Sequence, residues 1–294
     1  MTTLTATSNQ AKASFVQKYP LVTFFVLVFA LTWSFMVVDA LGSQNILPFR
    51  LPIPLLIVMG YMPTLAAVIV TGLTKGKVGM RALFGKLLIA RVGIKWYAFA
   101  IFGYGVMSIA AILLSNLLGG SPASPVLSEE MSHSSAPLAM IINIAMLYIV
   151  LGLINGEELA WRGFALPRLQ AKYNALTSSI ILGVMWGLFH LPLFFTVTGS
   201  SQADMSFLPF LVSIIILSVL FTWMYNNTRG SVLMAYLLHA ATNTWTRVFA
   251  IDHSVSPHVS QALTAITTLI VVIVLITTGA ENLSRKNTRI QEEE

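Results

Sequence analysis

The chain has 294 residues, 56% of them hydrophobic and 10% charged, against about 25% charged in a soluble domain. It contains no cysteine, which excludes disulfides, Cys-based metal centres and thiol nucleophiles. The net charge of +6 suggests nucleic acid at first sight, but the placement of Lys and Arg gives it a different meaning.

A membrane-crossing helix needs about 20 mostly apolar residues. The sequence predicts an all-α membrane protein, a bundle of about eight transmembrane helices, over about 21–38, 52–73, 96–118, 138–160, 176–197, 207–225, 231–250 and 261–279. Residues 1–20 then form an N-terminal segment, 21–280 one polytopic membrane domain, and 281–294 a tail. The first apolar run is long enough to span and has no small-residue cleavage site after it, so no cleavable signal peptide is expected. "MRALFGKLLIARVG", residues 80–93, places Leu83, Leu87 and Ala90 at helical spacing between Arg81, Lys86 and Arg91. That pattern suits a short helix in the membrane interface and equally a basic connector. Residues 118–137 read as a polar loop rich in Ser, Pro and Gly.

With the N-terminus inside, all of the 17 Lys and Arg except Arg50 and Arg247 fall on the inner side. This is a strong positive-inside bias. Both termini are then expected to be cytoplasmic, and the basic balance reports orientation in the bilayer. A bacterial cytoplasmic (inner) membrane fits, and no nucleic-acid partner is expected.

Ionisable groups inside spans are costly and therefore informative. Of 11 acids, only Glu157 and Glu158 lie within or beside a span on the inner half. They sit in "NGEELAWRGF", residues 155–164. Glu158 and Arg162 are at i and i+4, the favoured order for a helical ion pair. Glu157 is turned about 100° away with no obvious local partner. The bland alternative is a solvated helix end. His190 follows Gly183 and Gly187, whose spacing permits close helix packing, and precedes Pro192, which can bend the helix. His239 and Asn243 share a face. Either histidine taken alone also suits interhelical hydrogen bonding. His133, His253 and His258 read as solvated loop residues.

Together, a free carboxylate, two histidines and an amide form an inventory for water activation. A glutamate can take the proton, and a histidine and an amide can donate to an oxyanion. No HExxH zinc motif or glycine-rich phosphate loop occurs. His190 lies about 14 residues into its span, roughly 21 Å. For Glu157 to meet it, the fourth span must shift inward to about 145–166.

These segments resemble the signature of the CPBP family (CAAX protease and bacteriocin-processing, or Abi) of intramembrane proteases. Its EExxxR motif matches Glu157, Glu158 and Arg162. Its FxxxH motif matches Trp186 to His190, with Trp in place of Phe. Its His with Asn four residues later matches His239 and Asn243. The matched core covers about residues 140–250. The resemblance implies an eight-helix bundle with a cavity open to the cytoplasm, and peptide-bond hydrolysis. It implies that Glu157 and His190 activate water, that His239 and Asn243 form the oxyanion hole, and that Glu158 and Arg162 hold the site. Both metal-dependent and glutamate-dependent mechanisms have been described for such proteins. Glu157, His190 and His239 would be the alternative zinc ligands, and the metal-free mechanism is favoured. The implied partners are a peptide or membrane-protein substrate and the lipid bilayer. A non-catalytic immunity or scaffold protein is the rival reading, and a small proton-coupled transporter is a third.

Overall fold

The computed structural model describes residues 14–119, 137–197, 202, 205–251, 257–285 and 289–292. Regular structure among the described residues is entirely helical. Most of the polar loop expected over 118–137, with His133 and His253, lies outside them. In chain order the helices are α1 (Phe15–Lys18), α2 (Pro20–Ser43), α3 (Ile53–Gly60), α4 (Met62–Gly85) and α5 (Ile94–Leu117). There follow α6 (Pro137–Leu153), a π-helical stretch (Leu159–Ala165), α7 (Leu166–Lys172) and α8 (Ala175–Phe189). The last three are α9 (Phe207–Asn227), α10 (Val232–Val248) and α11 (Pro257–Thr278).

Helix starts follow local chemistry. Pro20 opens α2, where its missing N–H costs nothing. Asn174 caps α8 by accepting from the Thr177 N–H at 2.8 Å, and Ser231 caps α10 by accepting from Met234 at 3.3 Å.

Five helices are long and apolar enough to cross a membrane, and a sixth crossing arises if α3 and α4, bent by 44° at Tyr61, count as one. The chain is thus a multi-pass integral membrane protein. Of the eight expected spans, the remaining two correspond to α6 and α10. α6 has 17 residues, or about 25 Å, and then breaks. α10 also has 17, and His239, Thr242, Asn243, Thr244, Thr246 and Arg247 dilute its apolar character. α10 carries His239 and Asn243, and α6 ends just before Glu157. The expected interfacial helix over 80–93 is only partly helical. α4 continues to Gly85 after a break at Gly76 (φ 55°, ψ −148°), a 3₁₀ turn covers Lys86–Leu88, and the chain is then irregular up to α5. Glycine tolerates that positive φ without strain.

Tertiary contacts gather the basic segments at one end of the bundle. Lys86 Nζ donates to Gly163 O at 2.5 Å, Ser231 Oγ to Ile89 O at 2.6 Å, and the Ala175 N–H to Glu281 O at 2.9 Å. The tail returns to the same end. Glu292 accepts two hydrogen bonds from Arg168, at 2.6 and 2.8 Å, and pairs with Lys75 at 3.1 Å. At the other end, Gln44 Nε2 donates to Phe195 O at 2.6 Å, and Asp39 pairs with Arg50 at 3.1 Å.

The expected role of Gly183 holds. A Cβ there would lie 2.8 Å from Ile215 Cα on α9, and one at Gly187 would lie 2.4 Å from Leu211 Cδ1. Because backbone cannot yield as a side-chain tip can, Gly183→Val should force α8 and α9 apart. A loss of about 1–3 kcal/mol is expected, as for other overpacked cores, read as a lower thermal midpoint of the purified protein.

Candidate active site

The site begins where α6 stops. A backbone that leaves helical geometry inside a membrane must find other partners for its polar groups. Here the bend at Tyr61 supplies them. The Tyr61 hydroxyl donates to Leu153 O, and Thr64 Oγ1 donates to Gly156 O at 2.5 Å. Asn155 Oδ1 accepts from the Glu157 N–H at 3.1 Å. Gly156 is required by close approach, since a Cβ would sit 2.5 Å from the Tyr61 ring. The chain re-enters helix at Glu158 through the π-helical stretch, so the EELAWR segment is neither a solvated end nor part of one straight span over 145–166. It is a buried re-start: residues 158–170 are all buried. Glu157, on the cavity side of that re-start, is half-buried.

Glu157 is not without a local partner, as its helical phase alone suggests. Trp161, four residues on, donates its indole N–H to Glu157 Oε2 at 3.0 Å. Trp186 on α8 donates to the same oxygen at 2.8 Å. Two rigid, buried N–H donors fix one carboxylate oxygen and leave Oε1 for chemistry. This also changes the meaning of Trp in the FxxxH position, because phenylalanine keeps the ring but has no N–H to give. Trp186→Phe should therefore lower kcat about tenfold, the cost of roughly one charge-assisted hydrogen bond, with KM and the thermal midpoint nearly unchanged. Steady-state kinetics beside a melting curve checks this.

Glu158 and Arg162 pair as predicted. Both side chains are 0% exposed, and Arg162 Nη1 lies 2.8 and 3.0 Å from the two Glu158 oxygens. The guanidinium is packed between Trp186 and Phe221, its carbon 4.3 and 4.1 Å from their ring centroids, a favourable setting for a delocalised cation. The pair has a third member that helical spacing does not reveal. His239 Nδ1 lies 2.7 Å from Glu158 Oε1. Glu158 thus orients a histidine as well as pairing with an arginine. With Nδ1 engaged, whatever His239 offers the cavity it offers through Nε2, and it donates there when the ring carries both protons.

His190 caps the C-terminal end of α8, where Pro192 turns the chain into a 3₁₀ segment. Its Nδ1 lies 2.8 Å from Trp186 O. A carbonyl only accepts, so Nδ1 carries the proton and the neutral ring presents a lone pair at Nε2. Phe189 and Phe210 stand edge-on to the ring, with centroids 4.8 and 5.4 Å away. His239 lies 5.4 Å from Trp186, centroid to centroid.

Glu157, Trp186, His190, His239 and Asn243 all line one cavity of about 700 Å³. Glu158 and Arg162 lie behind it. The structure therefore brings together the residues expected from three separate segments, adds Trp161, Asn155, Tyr61 and Thr64, and gives Trp186 a hydrogen bond to Glu157. The i,i+4 spacing of Glu157 and Trp161 was a signal available in the sequence. Tyr61 at the bend and Thr64 on α4 left none. For zinc the fit is poor: Glu157 Oε2 is held by two N–H groups that would oppose a cation, and among the described residues no three His, Asp or Glu side chains form a group able to hold a metal ion.

Residues 135–245 match the family model described as Type II CAAX prenyl endopeptidase Rce1-like. The chain is also similar to the CAAX prenyl protease 2 of Methanococcus maripaludis, 32% identical over 149 residues, covering 49% of this chain and 52% of the relative. It thus spans about half the length of the curated relative that it matches. The matched segment contains every residue of the three motifs, so it is through these motifs that the chain is similar to the CAAX proteases.

Proposed function

We propose that the chain is an intramembrane endopeptidase that uses a glutamate-activated water. The observation that carries this reading is the Glu157 carboxylate, held at one oxygen by two indoles and lining a cavity shared with His190, His239 and Asn243. Water sits between Glu157 Oε1 and His190 Nε2. Glu157 takes its proton as the oxygen attacks the scissile carbonyl carbon. The resulting oxyanion is held by the Nε2–H of a doubly protonated His239 and by the Asn243 amide, two residues that line the same cavity. The proton on Glu157 then passes to the amide nitrogen, the C–N bond breaks to give a carboxylic acid and an amine, and the acid's proton passes to the amine as the two products leave. Glu158 and Arg162 act behind the site, with Glu158 aiming His239.

The substrate is a peptide or a membrane-protein segment. Both termini lie in the cytoplasm, and the protein resides in a bacterial inner membrane. The reaction is tested by cleavage of a peptide library by purified protein in ¹⁸O-labelled water. Label in each new C-terminal carboxylate is expected, and a scaffold or transporter would release no labelled product. Chelator treatment should leave the rate unchanged, because the clamp on Glu157 disfavours a cation there. Loss of activity that zinc restores would replace the metal-free mechanism.

A further inference from the structure

The turn that carries His190 is held from α2, a helix outside the residues matched by the family model. α8 stops at Phe189, and Pro192 has no N–H with which to continue it. The Leu193 N–H bonds His190 O at 2.9 Å, one residue short of the α-helical partner, Phe189 O. A helix-terminal carbonyl inside a membrane then needs another donor. Trp33 of α2 supplies it, its indole Nε1 donating to Phe189 O at 3.1 Å. Phe29, one turn earlier on α2, braces the Trp33 ring edge-on, with centroids 5.2 Å apart.

The far end of the same turn is tied to the end of α2. Gln44 Nε2 donates to Phe195 O at 2.6 Å, and the Val197 N–H donates to Ser43 Oγ at 3.0 Å. Nearer the start of α2, Phe24 is 0% exposed and packs against Phe164 and Trp161, with ring centroids 4.7 and 5.9 Å away. Trp161 is one of the two indoles that clamp Glu157, and its ring meets Phe189 edge-on at 5.6 Å. α2 thus reaches both members of the water-activating pair, Glu157 through Trp161 and His190 through the Phe189 carbonyl.

We propose that Trp33 is a positioning residue for His190. The Phe189 carbonyl belongs to the planar peptide unit that joins Phe189 to His190. Holding that carbonyl fixes the plane from which the His190 side chain departs. With Nδ1–H also bonded to Trp186 O, the ring and its Nε2 lone pair keep one orientation. Trp33 acts through His190 and touches neither water nor substrate. Its contribution to cleavage rests on the protease reading; the alignment of the His190 ring does not.

Trp33→Phe keeps an aromatic ring and removes the N–H. The full chain labelled with ¹⁵N-histidine reports the imidazoles directly, and the His190 signals are those missing from His190→Asn. In Trp33→Phe the His190 ring signals should shift or broaden, while those of His239, held by Glu158, stay in place. Unmoved His190 signals, or equal movement of both histidines, would overturn the proposal. Where the parent cleaves peptide, kcat of Trp33→Phe should fall about threefold to tenfold, the worth of one neutral hydrogen bond, with KM unchanged. In a His190→Ala background the same substitution should cost nothing further; an equal loss in both backgrounds would give Trp33 a general structural role instead. Comparable size-exclusion profiles verify that each variant is folded. If Trp33→Phe does not fold, Gln44→Met, which frees the far end of the same turn, is read in the same way. A protein whose His190 signals move as expected but which cleaves nothing keeps the positioning role and removes the protease reading.

Discussion

Glu157→Gln is expected to reduce kcat for peptide cleavage by about 10²–10⁴, the range that a positioned general base supplies. KM and the thermal midpoint should stay close to those of the parent protein. Glutamine is the informative replacement because of the geometry around Oε2. Its amide oxygen can still accept from Trp161 and Trp186, so the clamp and the packing survive. The group turned towards water becomes an NH₂, which cannot take a proton. Shape is kept and basicity is removed. A variant that retained more than a tenth of the parent rate would show that His190, with its Nε2 lone pair facing the same cavity, is the base.

Arg162→Met is expected to be the most destabilising single change in the site. It leaves the fully buried Glu158 carboxylate without its cation, and breaking a buried pair from one side costs about 3–5 kcal/mol. The thermal midpoint should fall by on the order of 10 °C. Methionine fills much of the arginine volume, so the loss reports charge more than cavity. The double variant Glu158→Gln/Arg162→Met should recover a large part of the stability, because a neutral amide replaces the orphaned carboxylate. It should not recover activity, because His239 has then lost the charged partner on Nδ1. Separation of the two readouts distinguishes an aiming role for Glu158 from a merely structural one. Full recovery of both would leave His239 independent of Glu158.

The membrane class and most of the helices were legible because apolar length along one segment is a local property. The same holds for Glu158 with Arg162 and for His239 with Asn243, since residues four apart on a helix meet whatever surrounds them. The close approach at Gly183 was legible from small-residue spacing. Where the reading fell short, the cause was a partner distant in sequence. A straight fourth span follows from hydropathy, but the chain breaks at 154–157 because Tyr61 and Thr64 satisfy the freed carbonyls. Glu158 looks fully used by Arg162 until α10 brings His239 to it from 81 residues away.

By itself the sequence determined that this is a polytopic, cysteine-free, helical membrane protein, and which charged and imidazole groups it places among apolar segments. Hydropathy, charge asymmetry and i,i+4 spacing are sums over neighbours in the chain, and they need no tertiary partner. Only the tertiary structure decided which carboxylate oxygen is clamped, which nitrogen of each histidine is engaged, and which side chains share one cavity. Those depend on donors that arrive from other helices, and on where α6 breaks and α8 ends. No pattern within one helix specifies where another helix will lie.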